Sequence, residues 1–252
     1  MARRSYNRVG EVNYNNYGTM MTIIEYYRCD NMIVEFQDKD NTRRKCIYQQ
    51  FENGSLNSPY DKTVYGIGYV GTGKYKYEKD KLAYKHWHGM LQRCYDPYFI
   101  DRHIFYKDCY VCEEWHNFQN FAEWFYENYY EIYNERMELD KDILIKGNKI
   151  YSPSNCVFVP RTINLLFIKQ QNSERTYSIG VCKKNSNGGY QTYCCNGKNQ
   201  IYLGTLNTER KAWLMYKINK ELVIQSIAEE YKNLIPKKLY NAMYKYEVEI
   251  ND

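Results

Sequence analysis

The sequence predicts an α+β protein made of three successive modules. Short β-branched and aromatic runs separated by Asn, Asp and Gly turns fill the first stretch of chain and recur near residue 180. Apolar residues at helical spacing dominate the middle. A charged, Tyr-rich segment at 74–80 offers a linker between the two patterns. The expected modules are 1–78, 81–170 and 175–252. At roughly 100–200 residues per domain, the length admits one to three such units.

In the first module, residues 20–27 are β-branched and aromatic and read as a strand. A turn at 28–31 leads to a second strand at 32–36. Another turn at 38–41 precedes a third strand from Arg43, and Asn53-Gly54 turns the chain again. The expected product is a small antiparallel barrel or curled sheet. Gly66, Gly68 and Gly71 fit G-x-G-x-x-G literally, but a phosphate loop needs a strand before the motif and a helix after it. Polar Lys/Tyr sequence follows here, so the segment reads as a Gly-rich connection. The basic cluster Arg43, Arg44 and Lys45, with Arg3, Arg4 and Arg8, has two readings. It meets nucleic-acid phosphates, or it is a solvated face.

The central module opens on a helix at 84–95 with Trp87, Met90, Leu91 and Cys94 on one side. A loop is expected from Pro97 to Tyr106. A second helix, at 118–130, carries Phe118, Phe121, Trp124 and Phe125. Then come Leu139-Asp140-Lys141-Asp142, Tyr151-Ser152-Pro153-Ser154-Asn155-Cys156, and a helix start at 161–166 that holds Asn164; by themselves Asp140 and Asn155 read as turn caps.

In the third module, strands are expected at 178–184, 190–195 and 200–204, with an Asn196-Gly197 hairpin turn between the last two. Asn207 or Thr208 caps a helix carrying Ala212, Trp213, Tyr216 and Ile218. Helix continues over 222–235, Pro236 breaks it, and 239–246 forms a last piece.

Composition excludes several classes. No apolar run approaches the roughly 18 residues of a membrane span. The opening Met1-Ala2-Arg3-Arg4 lacks the apolar stretch of a signal peptide. Hydrophobic content of 44% with 17% aromatics is too high for a disordered chain. Nine cysteines, an odd number, argue for reduced thiols and a cytoplasmic location. The 30 tyrosines recur in all three modules and form no low-complexity tract.

Taken in order, the tryptophan helix ending Arg93-Cys94-Tyr95, Val111-Cys112-x-x-Trp115, Leu139-Asp140-Lys141-Asp142, Tyr151-x-Pro153-x-Asn155-Cys156 and the late Asn164 resemble a family of phage proteins similar to HNH homing endonucleases. The resemblance covers about 85 residues. It implies a ββα centre gripping one divalent cation, Mg²⁺ or similar, with Asp140 and Asn164 as metal ligands and Asn155 pinning the loop. It also implies a DNA phosphodiester as substrate, cut by an activated water. Lys141 stands where the family has its general-base histidine. A lysine with ordinary pKa of about 10.4 is a poor base at neutral pH. Two functions follow: a metal-dependent nuclease, or a catalytically degenerate binding protein. The second would be a DNA-binding regulator or a phage anti-defence inhibitor of a host nucleic-acid-dependent complex. His86, His88, His103 and His116 are candidate replacement bases. Cys109-x-x-Cys112, with Cys94 and Cys156, reads either as buried thiols or as a structural Zn²⁺ site.

The third module resembles the APETALA-type domain of plant ethylene-response factors, which lays a three-stranded sheet in the DNA major groove. The implied contacts are Lys183, Lys184, Tyr190, Tyr193, Lys198 and Tyr202.

Overall fold

Alternating apolar residues at the start of the chain fold into four antiparallel strands: β1 (Val12–Tyr14), β2 (Met20–Arg28), β3 (Asn31–Phe36) and β4 (Arg43–Cys46). They pair in the order β1-β2-β3-β4 in the computed structural model of the chain, which describes residues 7–167, 176–183, 188–197 and 199–250. Met21 and Ile23 of β2 and Met32, Val34 and Phe36 of β3 point to one side, as the period of two requires. Cys46, Leu56 and Phe51 of α1 (Tyr48–Glu52) close that core. A register shift between Ile23 and Glu25 bulges β2 and adds local twist. The ladder ends at β1 and β4, so of the expected barrel or curled sheet it is the open sheet.

The middle of the chain supplies α2 (Lys81–Tyr95), α3 (Pro97–Arg102), a 3-10 turn at Ile104–Tyr106, β5 (Tyr110–Val111), a second 3-10 turn at Glu113–His116, and α4 (Phe118–Asn128). Trp87, Met90, Leu91 and Cys94 are buried on α2, and Phe118, Phe121, Trp124 and Phe125 on α4, as their spacing predicts. Trp87 lies 5.5 Å from Phe118 between ring centres and donates its indole N–H to the Trp115 carbonyl at 2.7 Å.

Two segments here differ from expectation. The stretch from Pro97 is helical, not loop, because Asp96 accepts from the Tyr98 and Phe99 amides and Pro97 sits at the first helical position. The 74–80 segment is tied down. Gln119 bonds the backbone of Tyr75 in both directions, Tyr75 stacks on Tyr126 at 5.4 Å, and the Tyr126 hydroxyl donates to Asp80 at 2.7 Å. The glycines that imitate a phosphate loop serve packing. A Cβ on Gly68 would collide with Leu91 and Trp87, and one on Gly71 with Asn117. The segment passes into turns rather than a helix.

The second half contains β6 (Met137–Asp140), β7 (Ile150–Tyr151), β8 (Val157–Pro160), α5 (Arg161–Asn164), β9 (Val181–Lys183), β10 (Tyr190–Cys195), β11 (Gln200–Leu206), α6 (Glu209–Tyr231) and α7 (Lys237–Tyr244). β6 pairs antiparallel with β8, and β11-β10-β9 form a three-stranded antiparallel sheet followed by α6, whose N-cap is Thr208. The class is therefore α+β, with the expected C-terminal sheet and helix.

The chain separates into two compact units, Met1–Glu127 and Asn128–Asp252. This division falls inside the expected 81–170 module. In the second unit Ile143, Val157, Val159, Ile163 and Leu166 share one core with Ile224, Ala228, Ile235, Leu239 and Met243 of the C-terminal helices. A hairpin of two four-residue strands and a one-turn helix buries too little apolar surface to stand alone. Among the described residues no helix is long and apolar enough to cross a membrane.

Candidate functional site

The β6–loop–β8–α5 segment brings together most residues implied by the HNH resemblance. The register sets Asp140 opposite Val157 and Met137 opposite Pro160, so the intervening loop leaves from Asp140 and α5 begins directly after β8. Alternation puts Glu138 and Asp140 on one face of β6, while Met137 and Leu139 are buried on the other.

Asp140 closes the start of the loop. Its Oδ1 accepts from the amides of Asp142 at 2.9 Å and Ile143 at 2.7 Å. Burial, and then the neighbouring Asp142 carboxylate, push its pKa up to about 6. Its other oxygen takes no hydrogen bond among the described residues. Lys141 is only 7% exposed; its Nζ is 3.4 Å from Asp142 Oδ1 and 5.9 Å from the centre of the Tyr151 ring.

Among the described residues, the Asn155 side chain makes no bond to the main chain of the loop. Pinning the loop falls to Asn148, which sequence reasoning missed. Asn148 Nδ2 donates to the carbonyls of Lys141 and Ile150, both at 2.7 Å. Its Oδ1 accepts from the Ile150 amide and from Asn155 Nδ2, both at 3.2 Å. Asn155 thus orients the residue that pins the loop. The Gly147-Asn148 turn pair, with Gly147 at φ +78°, was the available signal.

Asn164 sits at the end of α5 and donates from Nδ2 to Glu138 Oε2 at 2.6 Å. Glu138 also meets Arg161 at 3.0 Å and Arg136 at 3.7 Å. Glu138 was likewise missed, although it lies two residues before Asp140 on the same strand face. The second oxygen of Asp140 and the amide oxygen of Asn164 are hard donors of the type Mg²⁺ takes, so the pair suits such an ion in donor chemistry. Among the described residues no group of three or more His, Cys, Asp or Glu side chains is arranged around a metal position.

The four histidines all belong to the first unit and lie against aromatic rings. His86 is 5.7 Å from Phe125, His88 5.1 Å from Tyr65, His103 4.4 Å from Phe99 and His116 6.4 Å from Tyr95. Cys94, Cys109 and Cys156 are buried, and Cys112 is partly exposed with burial raising its pKa.

The C-terminal sheet divides its implied DNA contacts between two faces. Thr192 and Cys194 are buried beneath α6. Gln191, Tyr193 and Cys195 alternate onto the outer face. Tyr193 pairs with Tyr202 across the ladder, rings 5.2 Å apart, and the Tyr202 hydroxyl lies 2.7 Å from Thr205 Oγ1. Lys183 pairs with Tyr190, and this pair shares the parity of Thr192. The outer face therefore carries Gln191, Tyr193, Cys195 and Tyr202, and Lys183 and Tyr190 lie on the side that α6 covers. Lys184 and Lys198 lie outside the described residues, as do Arg3 and Arg4.

The N-terminal basic cluster is dispersed. Arg43 bonds Glu35 at 2.8 Å, Arg44 donates to the Asn57 carbonyl at 3.1 Å, and Arg8 pairs with Glu11 and covers the Tyr48 ring at 4.0 Å. Lys45 is exposed on the edge strand β4. Charge itself is distributed unevenly. The first unit has 17 Lys plus Arg and 17 Asp plus Glu, whereas the second has 18 and 13, so it holds the whole net +5.

No protein-family model, curated protein or solved structure matches the chain.

Proposed function

We propose that the chain is a nucleic-acid-binding protein on an HNH-like ββα scaffold, and that it holds DNA through its second unit without cutting it. The observation that carries this reading is Lys141. At the position where the resembled family has its base, the side chain is buried and ion-paired with Asp142. A group so enclosed is badly placed to take a proton from an attacking water, since a general base must reach that water directly. The cationic excess of the second unit supplies the long-range attraction to phosphates. The Tyr193–Tyr202 face supplies hydroxyls and flat apolar bodies for groove contacts.

The nuclease reading keeps one specific support, the unbonded oxygen of Asp140. Asp140 and Asn164 would hold a divalent cation, which stabilises charge on a phosphodiester when bound. Plasmid nicking with Mg²⁺ or Mn²⁺, run beside a DNA-binding titration, separates the readings. Salt-sensitive binding without nicking is the expected result. Nicking abolished by Asp140→Ala would establish the nuclease instead. Undetectable DNA binding would remove both and leave the anti-defence inhibitor, with a host protein complex as partner.

A further inference from the structure

Helix α6 has an apolar stripe on each of two opposite sides. Ala212, Tyr216, Ile224 and Ala228 are buried against the sheet and α7. At 100° per residue, Leu214, Ile218 and Leu222 lie on the far side and are 40%, 56% and 58% exposed. The sequence groups Ile218 with Ala212, Trp213 and Tyr216, but the structure turns it outward. Three large aliphatics one helical turn apart on an exposed face form a continuous patch of the kind that marks an association surface.

The ends of that stripe say what covers it. Lys211 precedes Leu214 on the same face, and Gln225 and Glu229 follow Leu222. The stripe is thus basic at its N-terminal end, aliphatic in the middle and acidic at its C-terminal end. We propose that it is a self-complementary interface through which two copies of this chain pair by antiparallel packing of α6. With Ile218 of one copy beside Leu222 of the other, the equal spacing from 211 to 218 and from 222 to 229 brings each Lys211 opposite a Glu229. A two-fold axis generates this contact twice, as an isologous interface requires. Parallel packing would instead set Lys211 on Lys211 and Glu229 on Glu229. Glu229 already meets Lys232 at 3.2 Å, at the helix end, so Lys211 of the second copy joins an existing exposed pair. The helix has 23 residues and is about 34 Å long, enough for the whole stripe to engage.

Sedimentation velocity of the full chain over a micromolar concentration series tests the proposal. The expected result is a monomer–dimer equilibrium. Ile218→Glu should weaken it by about tenfold or more, with an unchanged far-ultraviolet circular-dichroism spectrum as the folding control. Lys211→Glu should also weaken it, and Lys211→Glu with Glu229→Lys should restore it. The two charge variants sit at exposed positions and keep the test valid if Ile218→Glu misfolds. A chain that stays monomeric throughout would overturn the proposal. So would a dimer indifferent to Ile218→Glu, or a double charge swap that fails to restore what Lys211→Glu loses.

Discussion

A carboxylate that accepts two backbone amides usually has its charge favoured, yet Asp140 has its pKa pushed up to about 6. Burial and the Asp142 charge outweigh the two hydrogen bonds. The sign of the linkage follows. With the folded-state value above the ordinary 3.8, this group favours the folded state fully below about pH 4, and that contribution is lost as pH rises through about 6. Asp140→Asn keeps the oxygen that caps the Asp142 and Ile143 amides and removes the buried charge. In chelator-containing buffer at pH 7 it should stabilise the chain by about 1–3 kcal/mol, and the gain should shrink toward zero near pH 4. Denaturant melts of both proteins across that range read the difference, and a gain independent of pH would contradict the burial account. The role of Asp140 as a turn cap was legible in the sequence, because an Asp two residues before another loop residue commonly bonds that backbone. The trapping of Lys141 was not, since burial of a lysine depends on Tyr151 and the loop closing over it.

The 141–156 loop is held as a unit by one side chain. Removing the Asn148 amide leaves the Lys141 carbonyl and both backbone groups of Ile150 without that partner. Asn148→Ala should therefore cost about 1–3 kcal/mol, read as a lower melting midpoint. Asn155→Ala, which removes one bond to Asn148, should cost less. The reverse order would restore Asn155 as the pin. At this scale the sequence was informative where a pattern was long. The α2 and α4 stripes, the three C-terminal strands and the Pro236 break all follow from spacing and turn chemistry. It failed where a short-range signal had to be weighed against composition. Asp96-Pro97 is a helix start, but a proline directly after a helix equally marks the loop that follows it. Tyr75 and Tyr77 suggested a linker, because a tyrosine's apolar body packs as core only when a partner such as Tyr126 is present. The two sides of α6 were the hardest to separate. A helix with apolar residues on opposite faces gives no single 3.6-residue stripe, so nothing local says which face the sheet will cover.

For the molecule as a whole, the separation of charge sets where nucleic acid would be held on the proposed reading. The total of +5 is modest, but the first unit is neutral and the second has all of it. Residues 151–200 contribute Arg161, Lys169, Arg175, Lys183, Lys184 and Lys198 against the single acid Glu174. That asymmetry is present in the sequence but becomes visible only once the division after Glu127 is known, because the expected three modules cut across it. In the first unit, Arg43, Arg44 and Arg8 are already engaged with Glu35, Asn57 and Glu11. A cation that leaves an existing partner to meet a phosphate gains little net energy, whereas a solvated lysine releases counterions from the nucleic acid. Lys183→Gln should therefore weaken DNA binding and reduce the slope of log K against log salt by about 0.9 per lost phosphate contact. Lys45→Gln, in the unit whose charges cancel, should leave both affinity and slope unchanged. Tyr193→Ala with Tyr202→Ala should lower affinity while preserving the slope, because the outer sheet face contributes contacts without charge. Fluorescence anisotropy over a salt series distinguishes the three outcomes. Equal slope changes from Lys183→Gln and Lys45→Gln would spread the interface over both units, and a slope change from the tyrosine pair would mean that their loss displaces the neighbouring lysines from the backbone.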